Sequence, residues 1–203
     1  TDRAALIGAV NTLFWDGDRL LGDNTDLEGF TASLPAGCPG GREALLLGAG
    51  GAARAVAIGL REAGASAVHV AARKPSAARA LRDELLAGMP GEALAMVDVV
   101  SVAGRCGVVV NATPLGTHGD GQPLPLEALA ALSADTWVLD LVYRPAETPL
   151  LRLARARGLR AENGLEMLVR QAAAAFGRWT GQAAPVDAMR AAAQAQELAS
   201  GQT

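Results

Sequence analysis

Lysine is nearly absent from this sequence. Lys74 is the only one, and arginine carries almost all of the positive charge. The 18 basic and 21 acidic side chains leave a net charge of −3, and no run of Lys or Arg forms the basic surface that a nucleic acid needs. Cysteine is also scarce: Cys38 and Cys106 lie far apart without metal-ligand spacing. That argues against a disulfide framework or a metal site, and both are expected to be unpaired thiols in a reducing cytoplasm. Aromatic residues make up only 3%, so Ala, Leu and Val have to fill the interior. No apolar run approaches the roughly 20 residues of a membrane span, and nothing at the start reads as a signal peptide. An initiator methionine is missing as well. The opening "TDRAALIGAV" reads as the middle of an element, which predicts a segment lying upstream.

At 203 residues, half of them apolar, the chain can bury a sizeable core. "IGAVNTLFWDGDRLLGDNTD" reads as a hairpin, with a strand near Ile7–Phe14, a turn at Asp16–Gly17 and a second stretch to Leu21. "NTDLEGF" looks like a loop entering a helix, with Asp26 as a candidate N-cap. Ser33–Ala44 is turn-rich and serves as a connector. Strand and helix signals then alternate. Strands are expected at Ala44–Leu47, Ala67–Ala72, Ala93–Val97, Val108–Asn111, Trp137–Leu141 and Leu159–Glu162. Helices are expected at Gly51–Ala63, Ser76–Ala87, Leu126–Leu132 and Pro149–Arg157. This is the pattern of an α/β doubly wound parallel sheet, whose ligand lies beyond the strand C-termini. Two helical stretches close the chain, and Leu165, Leu168, Ala172, Phe176 and Trp179 mark an apolar stripe on the first.

The glycine loop "LGAGGAARA" gives the chemistry a direction. Gly48, Gly50 and Ala53 fit G-x-G-x-x-G/A between a strand and a helix. The first glycine permits a tight turn, the second a close approach of backbone to a pyrophosphate, and the small third residue lets helix and strand pack. The phosphates would then face the free N–H groups at the helix start, making Gly48, Ala49, Gly50, Gly51 and Ala52 candidate cofactor contacts. An NAD site usually places an acid at the end of the next strand to accept from the ribose 2′-OH. Here Ala72 stands at that point and Arg73 and Lys74 follow. A guanidinium can grip a 2′-phosphate that a carboxylate would repel, so the cofactor expected is NADP.

Six segments, "IGAVNT", "GDNTDLEGF", "LGAGGAARA", "VVNATPLG", "DLVYRPAETPLL" and "GLEMLVRQAAAAFGRWTG", resemble the shikimate dehydrogenase family in order and spacing. The resemblance implies a Rossmann domain at 31–162, a remnant of an α/β substrate domain at 1–30, and helices at 163–203 returning to it. It implies hydride transfer between shikimate and 3-dehydroshikimate, a small-molecule partner, and an oligomeric state left open, a homodimer included. Carried over by position, Asn11, Asp26, Tyr143 and Gln171 hold substrate, with Asp26 half of a Lys–Asp catalytic pair. Asn111, Thr113, Leu141 and Gly164 line the cofactor. That family's catalytic lysine and the serine pair for the substrate carboxylate lie upstream of "IGAVNT", so the resemblance puts the acid–base centre outside these 203 residues. Its usual Asn-Arg-Thr is Ala72-Arg73-Lys74 here, and Arg79 is the nearest candidate for a further arginine. His69 and His118 match no catalytic position. A quinate/shikimate dehydrogenase and a non-catalytic NADP-binding or regulatory module remain as alternatives.

Overall fold

The computed structural model describes residues 1–118 and 121–200, with side chains as far as residue 196. The chain opens with α1 (Asp2–Ile7), then the antiparallel pair β1 (Thr12–Asp16) and β2 (Arg19–Asp23), then α2 (Asp26–Ser33). The alternating region follows as β3 (Glu43–Leu47), α3 (Gly51–Glu62), β4 (Val68–Ala72), α4 (Pro75–Leu85) and β5 (Ala93–Ala95). It continues through α5 (Val100–Ala103), β6 (Cys106–Asn111), α6 (Leu126–Ala131), β7 (Trp137–Asp140), α7 (Pro149–Ala156) and β8 (Arg160–Asn163). Two helices, α8 (Leu165–Thr180) and α9 (Val186–Ser200), end it.

The six later strands pair in the order β5-β4-β3-β6-β7-β8, all parallel. Chain direction across the sheet reverses between β3 and β6, the switch point at which such sheets open a crevice. Both faces are covered, so the central strands carry no polar alternation: every residue of β4 and β6 is buried. Ala44 and Leu46 point to one face with Ile58, Leu60 and Leu81, while Leu45 and Leu47 point to the other with Leu124, Leu129 and Leu150. With few aromatics available, aliphatic side chains build both layers.

Local signals explain several boundaries. Pro149 begins α7 behind Thr148, whose hydroxyl accepts from the Leu151 N–H at 3.3 Å. Gly181 ends α8 in the left-handed region at φ 68°. Other expectations need correction. Ile7 does not start a strand: it ends α1, which Thr1 caps at the front and Gly8, at φ 70°, at the back. The first strand starts only at Thr12 and the second runs to Asp23, with Gly17 and Asp18 forming the turn. Asp26 is not the N-cap of α2; Thr25 occupies that position. The strand expected at Ala93–Val97 stops at Ala95 and passes into a 3-10 turn at Met96–Asp98.

The stripe on α8 is also not the face that packs. Met167, Val169, Ala174 and Ala175 are buried, whereas Leu165, Leu168, Ala172 and Phe176 are half-buried and Trp179 is 62% exposed. The cause is the fit against α2. A Cβ on Gly29 would lie 2.7 Å from the Gln171 Cβ, so small residues bring these helices close, and the closest approach sets the rotation of α8. Arg178 then pairs with Asp23 and Glu28, tying α8 to the hairpin and to α2.

Candidate active site

A cleft of about 590 Å³ opens at the switch point, lined among others by Gly50, Gly51, Ala52, Thr113, Leu141 and Tyr143. The glycine loop forms its floor. Gly48 has φ 115°, and a Cβ there would lie 2.9 Å from the Ala112 carbonyl oxygen, so the residue must be glycine. Its N–H donates to the Ala71 carbonyl at 2.7 Å, joining the loop to the end of β4. Gly50 caps α3, and no atom comes within 4 Å of where its Cβ would be. The start of α3 therefore offers free N–H groups to an open space, while Ala53, fully buried, lets the helix sit against the sheet. Ala49 is partly buried against the core behind the loop. Arg73 and Lys74 are exposed beyond β4, with Lys74 at the N-cap position of α4.

Asn111 is fully buried. Its Nδ2 donates to Asp140 at 2.8 Å and to the Leu115 carbonyl at 3.3 Å, and its Oδ1 accepts from the Thr113 N–H and hydroxyl. The side chain shapes the loop that brings Thr113 to the cleft. Leu141 is held by its N–H donating to the Asn111 carbonyl at 2.9 Å. Gly164 packs so tightly on the Leu141 carbonyl that a Cβ has no room. It also opens α8, where Gln171 follows two turns, roughly 10 Å, along the axis.

Asn11, Asp26 and Gln171 come together in a second set, outside the residues that line the cleft. The Asn11 Nδ2 donates to Asp26 at 2.8 Å, and its Oδ1 accepts from the Thr25 N–H at 2.9 Å. The Thr25 hydroxyl donates to Gln171 at 3.2 Å, linking positions far apart in the chain. Burial pushes the Asp26 carboxyl above its ordinary pKa, and the Asn11 bond offsets this in part. Tyr143 does not join this set; it lines the cleft and is 36% exposed.

The family model of the shikimate 5'-dehydrogenase C-terminal domain matches residues 164–194, the segment from Gly164 into α9. Over 184 residues the chain is 47% identical to the shikimate dehydrogenase (NADP(+)) of Nitrobacter hamburgensis, covering 89% of this chain and 63% of that relative. The shikimate 5-dehydrogenase of Thermus thermophilus, solved in complex with NADP(H) and shikimate, is 41% identical with a TM-score of 0.79, covering 96% of this chain and 71% of that one. The chain belongs to the shikimate dehydrogenase family. The quinate dehydrogenase from Corynebacterium glutamicum, solved in complex with NAD, is similar at 34% identity and a TM-score of 0.83, covering 94% of this chain and 69% of that one. The chain spans a little under two thirds of the length of the first curated shikimate dehydrogenases it matches.

Sequence reasoning passed over several residues of this shikimate dehydrogenase fold. Asp140, fully buried, accepts from Asn111, from the Val142 N–H at 3.1 Å and from the Thr148 hydroxyl at 2.6 Å. Burial raises its pKa, and these three donors counteract the rise. A lone acid ending an apolar strand, followed by Thr-Pro at a helix start, was the available signal. Arg144, also unassigned, lines the cleft.

Near the N-terminal ends of the central strands, the ligand-type atoms of Glu43, His69 and Cys106 lie within 4.8 Å of one another. Here His69 Nδ1 accepts from the Glu92 N–H at 3.2 Å, which assigns the ring proton to Nε2 and makes it the donor to Glu43 at 2.8 Å. Arg105 donates to the same Glu43 oxygen at 2.9 Å. Burial pushes the Cys106 thiol up to about 12. These groups brace the ends of β3, β4 and β6. His69 is thus structural, and His118 lies at the surface.

Proposed function

We propose that this chain supplies the NADP-binding part and some of the substrate-binding residues for the interconversion of shikimate and 3-dehydroshikimate, and that the catalytic lysine of the family's acid–base pair is not among its residues. The observation that carries the reading is the switch-point cleft: a helix N-terminus behind a glycine loop, with Arg73 and Lys74, and no acid, ending the neighbouring strand. Gly50 leaves open the space a diphosphate needs, and the basic pair suits a 2′-phosphate. Gly48, Ala49, Gly50, Gly51 and Ala52 would hold the diphosphate. Thr113, Leu141 and Gly164, with Asn111 shaping the loop, would border the nicotinamide, which supplies or accepts the hydride when bound. Asn11, Asp26, Gln171 and Tyr143 would hold the substrate hydroxyls. A carboxyl whose pKa burial raises, as at Asp26, binds a proton more readily, as proton exchange with an alcohol oxygen requires. This reading keeps the division at 1–30, 31–162 and 163–203, and a cytoplasmic setting. Quinate as substrate is the second reading, favoured by the likeness to the quinate dehydrogenase. The missing acid at Ala72 weighs against that relative's NAD as the cofactor.

Calorimetric titration tests the cofactor assignment. Losing a charge-assisted contact costs about 1.5–3 kcal/mol, so Arg73→Ala should weaken NADP⁺ binding about 10- to 100-fold and leave NAD⁺ nearly unchanged. Equal losses for both cofactors would show that Arg73 does not read the 2′-phosphate.

A further inference from the structure

We propose that Arg144 is an additional cofactor-binding residue, supplying the side-chain cation for the diphosphate of the bound dinucleotide. The inference rests on the NADP reading above. Arg144 lines the same cleft as Gly50, Gly51 and Ala52. Its Nε is buried without a hydrogen-bond partner, and among the described residues no ion pair or hydrogen bond involves its guanidinium. The acids nearby in the chain are already engaged. Glu147 pairs with Arg155 at 3.2 Å, and both oxygens of Asp140 accept from Asn111, Val142 and Thr148. A guanidinium without a counter-charge is unfavourable in so confined a place, and an oxyanion in the cleft would offset its charge.

The loop carrying Arg144 is anchored on both sides. The Val142 N–H is held by Asp140, and Asn163 Nδ2 donates to the Ala146 carbonyl at 3.1 Å. The side chain thus stands on a fixed support in the cleft that the start of α3 also lines, where backbone N–H groups alone would otherwise meet the negative charge. Its position selects the diphosphate over the cofactor's other phosphate. Arg73 follows β4 and Arg144 follows β7, three strands apart or roughly 14 Å, with the glycine loop between them. The substrate set, Asn11, Asp26 and Gln171, does not line this cleft. Arginine's planar fork suits two phosphate oxygens at once.

Calorimetric titrations of the 203-residue chain test the assignment, with melting curves to verify folding. Arg144→Gln should weaken NADP⁺ binding about 10- to 100-fold and leave 2′-AMP, which has no diphosphate, unchanged. Arg73→Ala should weaken both ligands. If Arg144→Gln fails to fold, Arg144→Lys takes its place; it keeps the charge, loses the fork, and should weaken NADP⁺ several-fold. Native-like NADP⁺ affinity in the folded variant overturns the inference while leaving the NADP reading intact. Loss of 2′-AMP affinity in that variant also overturns it, because the cation would then meet the other phosphate. If the unaltered chain binds no NADP⁺, the inference and the reading beneath it fall together.

Discussion

Asp140 accepts three hydrogen bonds in a fully buried place and makes no ion pair among the described residues, which makes it sensitive to a change of one atom. Asp140→Asn keeps the shape but turns one acceptor oxygen into a donor group facing donors. The expected loss is about 1–3 kcal/mol, or roughly 3–10 °C in melting midpoint, measured by circular dichroism. An unchanged midpoint would mean that the loops after β6 and β7 do not depend on this carboxylate. At this scale the sequence was readable where backbone geometry restricts the residue. Gly48 and Gly164 could be picked out because close approaches leave no alternative there. Asp140 and Arg144 were passed over because their roles rest on neighbours from other segments.

Between elements, Glu166 on α8 bonds Arg170 one turn on and takes two hydrogen bonds from Arg190 of α9. The Arg190 bonds hold its carboxyl at about 2, below the ordinary 4.5, with Arg170 adding to the effect. A carboxylate with a depressed folded-state pKa stabilises the fold above its unfolded pKa, and that contribution is lost as pH falls through the folded one. The window here runs from about 4.5 down to about 2. The group is one-third exposed, so solvent screens the pair. Glu166→Gln should therefore lower the melting midpoint by only about 2–4 °C at neutral pH. The difference should close as pH approaches 2. A gap that persists in acid would place its origin elsewhere. The α8 helix was legible as a helix, but its buried face was not, because Gly29 rather than the apolar stripe sets its rotation.

Taken whole, the chain unites the switch-point cleft with a polar set built from the hairpin side and α8. No ion pair engages Asp26 among the described residues, its side-chain partner being Asn11, and the one lysine, Lys74, stands beyond β4. A polypeptide of these 203 residues is therefore expected to bind NADP⁺ without reducing it in the presence of shikimate. Calorimetry and NADPH absorbance on one sample test this pair of outcomes. Shikimate-dependent NADPH formation would show that proton transfer needs no lysine. Leu13, Trp15, Leu20 and Trp179 all expose more than half their surface, and the Trp179 indole donates to the Leu13 carbonyl at 2.8 Å.

The sequence by itself determined the parallel sheet, the glycine loop, the bias against an NAD-type acid and the family, because each rests on residues adjacent in the chain. Short apolar runs, helical patterns and the loop's small residues act over a few positions, so no folded partner is needed to read them. Tertiary structure alone decided the rotation of α8, the Asp140 network, the meeting of Thr25 with Gln171 and the freedom of Arg144. In each case the energy lies in the distance between segments, which a linear pattern does not contain. Two helices approach as closely as their smallest residues allow, and a buried donor counts as satisfied or orphaned only once its neighbours are in place.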